Sequence, residues 1–168
     1  MVIACVDVHY EDKKGARAAL VAVDRWDEPT ARERRLVIVP DVAPYEPGSF
    51  FKRELPCILA VIGALGNVPD IVLVDGHAWL DGNRPGLGAR LLDAEPRIKT
   101  VVGVAKTLFK GSKATPVLRG KSGTPLYVDE AGEHVDAPAR IAEMAGSSRI
   151  PTLLGLVDAL ARGRKLGW

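Results

Sequence analysis

The sequence predicts an α/β fold built on one mixed sheet, with an antiparallel meander followed by parallel strands. Three observations lead there. Three apolar, β-rich segments follow one another through short turns at the start of the chain. Helix-patterned and uninterrupted apolar segments then alternate. At 168 residues, two independent cores would have roughly 80 residues each, so the whole of residues 1–168 is expected to be one domain.

The elements follow in order. Val2–Tyr10 is apolar and too short for a typical helix, and it runs into the charged turn Glu11–Gly15. Ala16–Trp26 reads as its hairpin partner and Arg34–Val39 as the third strand. After Pro44 and Pro47–Gly48, the segment Ser49–Leu65 places Phe50, Leu55, Ile58, Leu59, Ile62 and Leu65 at helical spacing, with Ser49 as N-cap and Gly66 as the stop. Pro69–Asp75 is a continuous apolar run, the pattern of a strand covered on both faces. Arg84–Leu92 is read as a short helix and Thr100–Ala105 as another buried strand. Pro116–Arg119 and Leu126–Val128 are short strand-like pieces around a Gly-rich turn, and Pro151–Arg162 is an amphipathic closing helix with Pro151 in its first turn.

Composition narrows the function classes. Apolar residues make up 47% and charged residues 26%, as in ordinary globular proteins and unlike disordered chains. Cys5 and Cys57 are the only cysteines, which excludes a disulfide framework or a cysteine-rich zinc site. No stretch approaches the roughly 18 apolar residues of a membrane span, and the first apolar run is too short for a signal peptide. A cytoplasmic setting without membrane contact is the expectation; protein partners are left undefined. Familiar catalytic patterns fail: Gly120-Lys121-Ser122 lacks the upstream glycine of a phosphate loop, Gly86-Leu87-Gly88 lacks the third glycine of a dinucleotide fingerprint, and no Gly-x-Ser-x-Gly elbow exists for His9, His77 or His134.

Three acids stand where burial is expected. Asp7 interrupts the most apolar strand, Asp75 ends the next buried strand before Gly76, and Glu54 lies early in an apolar helix. Singly, a salt bridge, an Asp-Gly turn and a solvated face would account for them. Together, one from each of three neighbouring elements, they point to a shared site, because buried carboxylates are costly unless paired or metal-bound. Oxygen ligands of this kind suit Mg²⁺ or Mn²⁺. Lys106 ends its strand at the same carboxyl edge as Asp75, where a cation can stabilise a phosphate. His9 falls on the same side of its strand as Asp7, close enough in pattern to touch that site or simply to pack.

The net charge is only +2, yet from Lys106 to Val128 there are five cations (Lys106, Lys110, Lys113, Arg119 and Lys121) and no acid. A solvated basic face and a phosphate-backbone surface are both open readings. Arg162, Arg164 and Lys165 add a weaker basic cluster. Tyr45 sits between Pro44 and Glu46-Pro47-Gly48, either packed over the core edge or held outward to stack against bases.

These segments, in this order, resemble the endonuclease V family. VDVHY around Asp7 is similar to its first aspartate motif, and Pro44–Glu54 (PYEPGSFFKRE) to its tyrosine-wedge loop and glutamate helix. Pro69–His77 (PDIVLVDGH) resembles its second aspartate motif and Val101–Lys106 (VVGVAK) its lysine strand. The resemblance implies a ribonuclease-H-like fold and Mg²⁺-dependent cleavage of DNA, or of RNA, one phosphodiester beyond inosine on the 3′ side. It also implies that Asp7, Glu54 and Asp75 are metal ligands, that Lys106 contacts the phosphate, that Tyr45 fills the gap left by a flipped base, and that Gly76 and His77 border the inosine pocket.

The chain departs from the family pattern in three places. Where the family carries Gly-His-Arg before the last helix, with the histidine in the active site, this sequence has Gly146-Ser147-Ser148-Arg149, putting Ser148 in the histidine's place. The His-Pro-Arg-Arg run after the second aspartate motif is replaced by Asp81-Gly82-Asn83-Arg84, and Ala78 stands for a glycine. With Asp7 so near Met1, the family's N-terminal helical extension is not expected. Two functions follow: a metal-dependent endonuclease, or a relative that binds nucleic acid without cutting it or cuts a different substrate. Retention of three acids and Lys106 favours the first, since carboxylates facing phosphate only weaken binding.

Overall fold

The computed structural model describes residues 1–11 and 13–164; Asp12 of the first turn and Lys165 lie outside the described residues. Among the described residues, seven strands form one sheet: β1 (Ile3–Glu11), β2 (Gly15–Val23), β3 (Glu33–Val39), β4 (Ile71–Asp75), β5 (Thr100–Ala105), β6 (Thr115–Val117) and β7 (Leu126–Gly132). Their spatial order is β3-β2-β1-β4-β5-β7-β6. β1, β2 and β3 pair antiparallel, β4 lies parallel to both β1 and β5, and β7 joins β5 and β6 antiparallel. The helices are α1 (Phe50–Gly63), α2 (Leu87–Ala94), α3 (Ala137–Glu143) and α4 (Thr152–Ala161).

Alternation along the strands assigns each residue a face. Ala4, Val6, Leu20, Val72 and Val74 pack with Ile58 and Val61 of α1 and with Leu91 of α2. The odd-numbered partners Ile3, Cys5, Val21, Ile71 and Leu73 pack with Ile141 of α3 and with Leu153 and Val157 of α4. A helix layer on each side of β1 and β4 explains why these strands read as unbroken apolar runs. Each fully buried aliphatic side chain here contributes roughly 1.5–3 kcal/mol of transfer free energy.

Several expected boundaries shift. The second strand stops at Val23 and Trp26 follows in a turn, although it stays buried. α1 closes on Ala64 rather than at Gly66, and Ser49 precedes it without a side-chain cap bond. α2 starts three residues later than Arg84, with Gly86 before it. The piece at Pro116–Arg119 is a three-residue edge strand that leaves Arg119 outside. β7 continues to Gly132 and α3 was not expected at all. Asp129 and Glu130 look wrong for a strand interior, but their carboxylates accept backbone N–H groups, from Ala78 and Trp79 for Asp129 and from Ala137 for Glu130.

One detail of register opens the sheet. The parallel β1–β4 pairing ends at Cys5 and Leu73, whereas β4 runs on to Asp75 and β1 to Glu11. The two strands therefore part just before Asp7 and Asp75. Among the described residues, no helix is long and apolar enough to cross a membrane.

Candidate active site

Asp7 and Asp75 fall two residues beyond Cys5 and Leu73, so both take the face covered by α4. A cavity of about 280 Å³ opens there, and Asp7, Asp75, Lys106, Asp158 and Arg164 contribute to its walls. Apolar side chains of α4, Leu154 and Val157, form its floor together with Val104. Lys106 directly follows β5, and its ammonium lies 3.5 Å from the Asp75 carboxylate. Arg149 holds that exit in place by donating to the carbonyl oxygens of Lys106 and Pro125 at 2.7 and 2.8 Å.

Asp158 is the residue that sequence reasoning missed. It sits on α4 and hydrogen-bonds the Asp7 carboxyl, while Arg162 one turn on donates to it at 2.8 Å. Ser148, at the sequence position of the family histidine, is not among the residues that line the cavity. It is exposed in the loop before α4 and uses its backbone carbonyl to accept from Arg119.

Glu54 approaches from the opposite face of the sheet, on α1. It is 4% exposed, and its Oε2 is buried without a hydrogen-bond partner. Burial and the charges of Asp7 and Asp75 push its carboxyl up to about 8, against a smaller opposing effect of Arg53. Asp7 is pushed up to about 7, first by burial and then by Asp75, with the Val8 N–H opposing. In Asp158, burial acts upward but is outweighed by Arg162, by the hydrogen bond from Asp7 and by Lys106, so its carboxyl lies below the usual range.

The acids are thus within electrostatic reach of one another but are not gathered into a cage: among the described residues, no three of His, Cys, Asp or Glu are placed to hold a metal ion. Asp7 pairs with Asp158, Asp75 with Lys106, and the buried Oε2 of Glu54 has no partner. The donor set nevertheless fits a hard divalent cation, because all its members are carboxylate oxygens and one of these is buried with nothing to bind. His9 is not among the residues that line the cavity.

A second, smaller cavity shares Asp75 with the first. Gly76, His77 and Gly48 border it, with Phe51 and Arg90 stacked at 3.6 Å as another wall. Gly76 has φ of 140°, a conformation that L side chains rarely adopt. His77 is buried, with its ring between the backbones of Thr107 and Phe109. Tyr45 is 65% exposed in the loop before α1. Lys110, Lys113 and Lys121 are exposed, whereas Arg119 is not part of that surface. It is 5% exposed, and its guanidinium donates to the carbonyl oxygens of Met144, Gly146, Ser148 and Arg149. The expectation that Arg119 meets phosphate is therefore corrected: five cations in sequence become four on the surface.

An endonuclease V profile matches residues 1–145. The chain belongs to the endonuclease V family. The endonuclease V of Azotobacter vinelandii is 32% identical over 184 residues, covering 97% of this chain and 83% of that protein. The one from Xylella fastidiosa (strain Temecula1) is 34% identical over 130 residues, covering 76% of this chain and 52% of its own length. Among solved structures, the endonuclease V of Streptomyces avermitilis superposes with a TM-score of 0.75 at 28% identity, covering 97% of this chain and 80% of that one. That of Ciona intestinalis, in complex with a 24mer DNA containing an inosine followed by a ribo-adenosine, has a TM-score of 0.76 at 19% identity, covering 96% and 84%. The seven-stranded sheet with its flanking helices is the ribonuclease-H-like fold of endonuclease V. Endonuclease V proteins are nucleases and generally depend on a metal. Asp158 lies beyond the residues matched by the endonuclease V profile, so no motif flags it.

Proposed function

We propose that residues 1–168 form one endonuclease V-like domain that hydrolyses a phosphodiester bond on the 3′ side of inosine in DNA or RNA, with Mg²⁺ as its ion and Mn²⁺ as a substitute. The observation that carries this reading is the single cavity shared by Asp7, Asp75, Asp158 and Lys106, with the unpartnered Glu54 oxygen behind it. The inosine-containing DNA held by the Ciona protein supports the choice of lesion.

Asp7, Glu54 and Asp75 would hold the ion, and Asp158 would complete or orient that set through Asp7. When bound, a divalent cation supplies charge stabilisation at the phosphate and lowers the pKa of a water molecule. The chain's own residues do the rest. Lys106 turns from Asp75 to the substrate phosphate and offsets charge that develops during hydrolysis. The cavity of Gly76 and His77 receives the extruded base, with Tyr45 stacking into the gap it leaves. Lys110, Lys113 and Lys121 carry the backbone beyond the cut.

The test uses inosine-containing and plain oligonucleotides, single- and double-stranded, of DNA and RNA, with Mg²⁺, with Mn²⁺ and with chelator. Nicking of the inosine strands that requires metal and is lost in Asp7→Ala supports the reading. Cleavage of plain strands alone would remove the lesion specificity. Salt-sensitive binding without product under any divalent ion would mean a binding protein instead.

A further inference from the structure

We propose that Arg164 is a phosphate-binding residue, a second cation beside Lys106 that grips the nucleic-acid backbone at the catalytic cavity; this rests on the nuclease reading above. The end of α4 is built to place it there. Gly163 has φ of 69°, its N–H donates to the Leu160 carbonyl at 3.1 Å, and the Arg164 N–H donates to the Ala159 carbonyl at 3.0 Å. Those two bonds are a Schellman turn, which stops the helix and reverses the chain. From β2, the Arg17 side chain donates to the Ala161 carbonyl at 3.0 Å and pins the same end. A Cβ on Gly163 would come within 3.1 Å of the Arg17 guanidinium, so glycine answers both the turn and the close approach.

The reversal brings Arg164 to the wall that also holds Asp7, Asp75, Lys106 and Asp158. Its neighbour Arg162 is occupied by Asp158. Among the described residues, no hydrogen bond or ion pair engages the Arg164 guanidinium, which is exposed. A cavity lined with carboxylates repels an anionic substrate, and among the described residues Lys106 is its only other lining cation. A guanidinium offers a planar fork of donors that matches two phosphate oxygens, which an ammonium does not.

The experiment compares the wild type with Arg164→Ala and Arg164→Lys. Cleavage of an inosine-containing oligonucleotide is followed with Mn²⁺, and binding of the same strand is followed by fluorescence anisotropy in Ca²⁺ across a salt series. In Arg164→Ala, affinity should fall about tenfold and the slope of log K against log salt should flatten by about one. KM should rise more than kcat falls and the thermal midpoint should stay in place, while Arg164→Lys should regain the slope but only part of the affinity. Unchanged affinity and slope would overturn the proposal. So would a gain in turnover or metal affinity, which would make the guanidinium a stand-in for the ion. Cleavage that ignores Arg164 defeats this inference alone, whereas Arg164-dependent binding without cleavage defeats the nuclease reading alone. A wild type that neither binds nor cuts defeats both.

Discussion

The carboxyl groups of Asp7 on β1 and Asp158 on α4 are paired by a hydrogen bond at the point where β1 and β4 part. Their surroundings pull the two acids in opposite directions, burial and Asp75 moving Asp7 upward while Arg162 moves Asp158 downward. Such a partner fixes the orientation of a candidate ligand and sets its basicity. Asp158→Ala is therefore expected to lower metal affinity about 10- to 100-fold and activity with it. Isothermal titration with Mn²⁺ and a cleavage assay check this. Unchanged Mn²⁺ affinity would make Asp158 merely the partner of Arg162.

Charge crowding also sets a pH dependence. Asp7 and Glu54 titrate at about 7 and about 8 in the fold, against roughly 4 for unfolded carboxylates. Between those values the folded chain holds more protons than the unfolded one, so stability falls as pH rises. The metal-free protein should melt at a higher temperature near pH 5 than near pH 8, by the same linkage. Divalent cations should restore the midpoint at the higher pH by binding the ionised acids. Acids with lowered values, such as Asp70 beside Lys99, act below about pH 4 and do not enter this window. Differential scanning fluorimetry of the wild type and Glu54→Gln reads the effect. Equal slopes in both proteins would show that Glu54 does not carry the strain.

Arg119 should behave as a structural residue. Burial lowers its pKa, and its fork ties four carbonyl oxygens of the loop before α4. Arg119→Ala leaves those oxygens unpaired and should cost roughly 2–3 kcal/mol in urea unfolding. Lysine cannot reproduce the fork and should rescue little. The salt slope of nucleic-acid binding should match the wild type, whereas in Lys110→Ala it should flatten by about one. A flattened slope in Arg119→Ala without loss of stability would return the residue to the phosphate surface.

What the sequence made legible follows a physical line. Asp7 and Asp75 announce themselves because an acid that breaks or ends a strand apolar on both faces has few ordinary uses. Asp158 does not, since an acid on an amphipathic helix reads as its solvated face; only its spacing from Leu154 and Val157, one turn and one residue back, hints that it meets the sheet. Five cations without an acid looked like one surface, but charge counting is blind to backbone carbonyls, and Arg119 satisfies those instead. α3 escaped notice because seven residues with Pro138 in the first turn carry little periodicity. Likewise, the apolar pattern of β7 ends at Val128 although the strand runs on to Gly132, because the acids that continue it serve backbone N–H groups elsewhere.

Gly103 ties that last point to the site. It lies on β5 opposite Asp129, whose carboxylate crosses it to accept the N–H groups of Ala78 and Trp79 at 2.8 and 2.9 Å. Those bonds hold the turn that carries Gly76 and His77 into the second cavity. A Cβ on Gly103 would stand 2.3 Å from an Asp129 oxygen, 2.4 Å from the Ala78 nitrogen and 2.7 Å from the Gly76 carbonyl oxygen. None of these is the end of a flexible chain free to swing away, so the turn itself must move. Gly103→Ala should therefore destabilise the fold by roughly 1–3 kcal/mol, as overpacking does. At temperatures where the variant stays folded, discrimination between inosine and plain strands should fall more than cleavage itself, because Asp7, Asp158 and Lys106 lie outside that turn and Asp75 is tied to β5 by its pairing with Val104. Equal losses of discrimination and cleavage would mean that the two cavities are not separable.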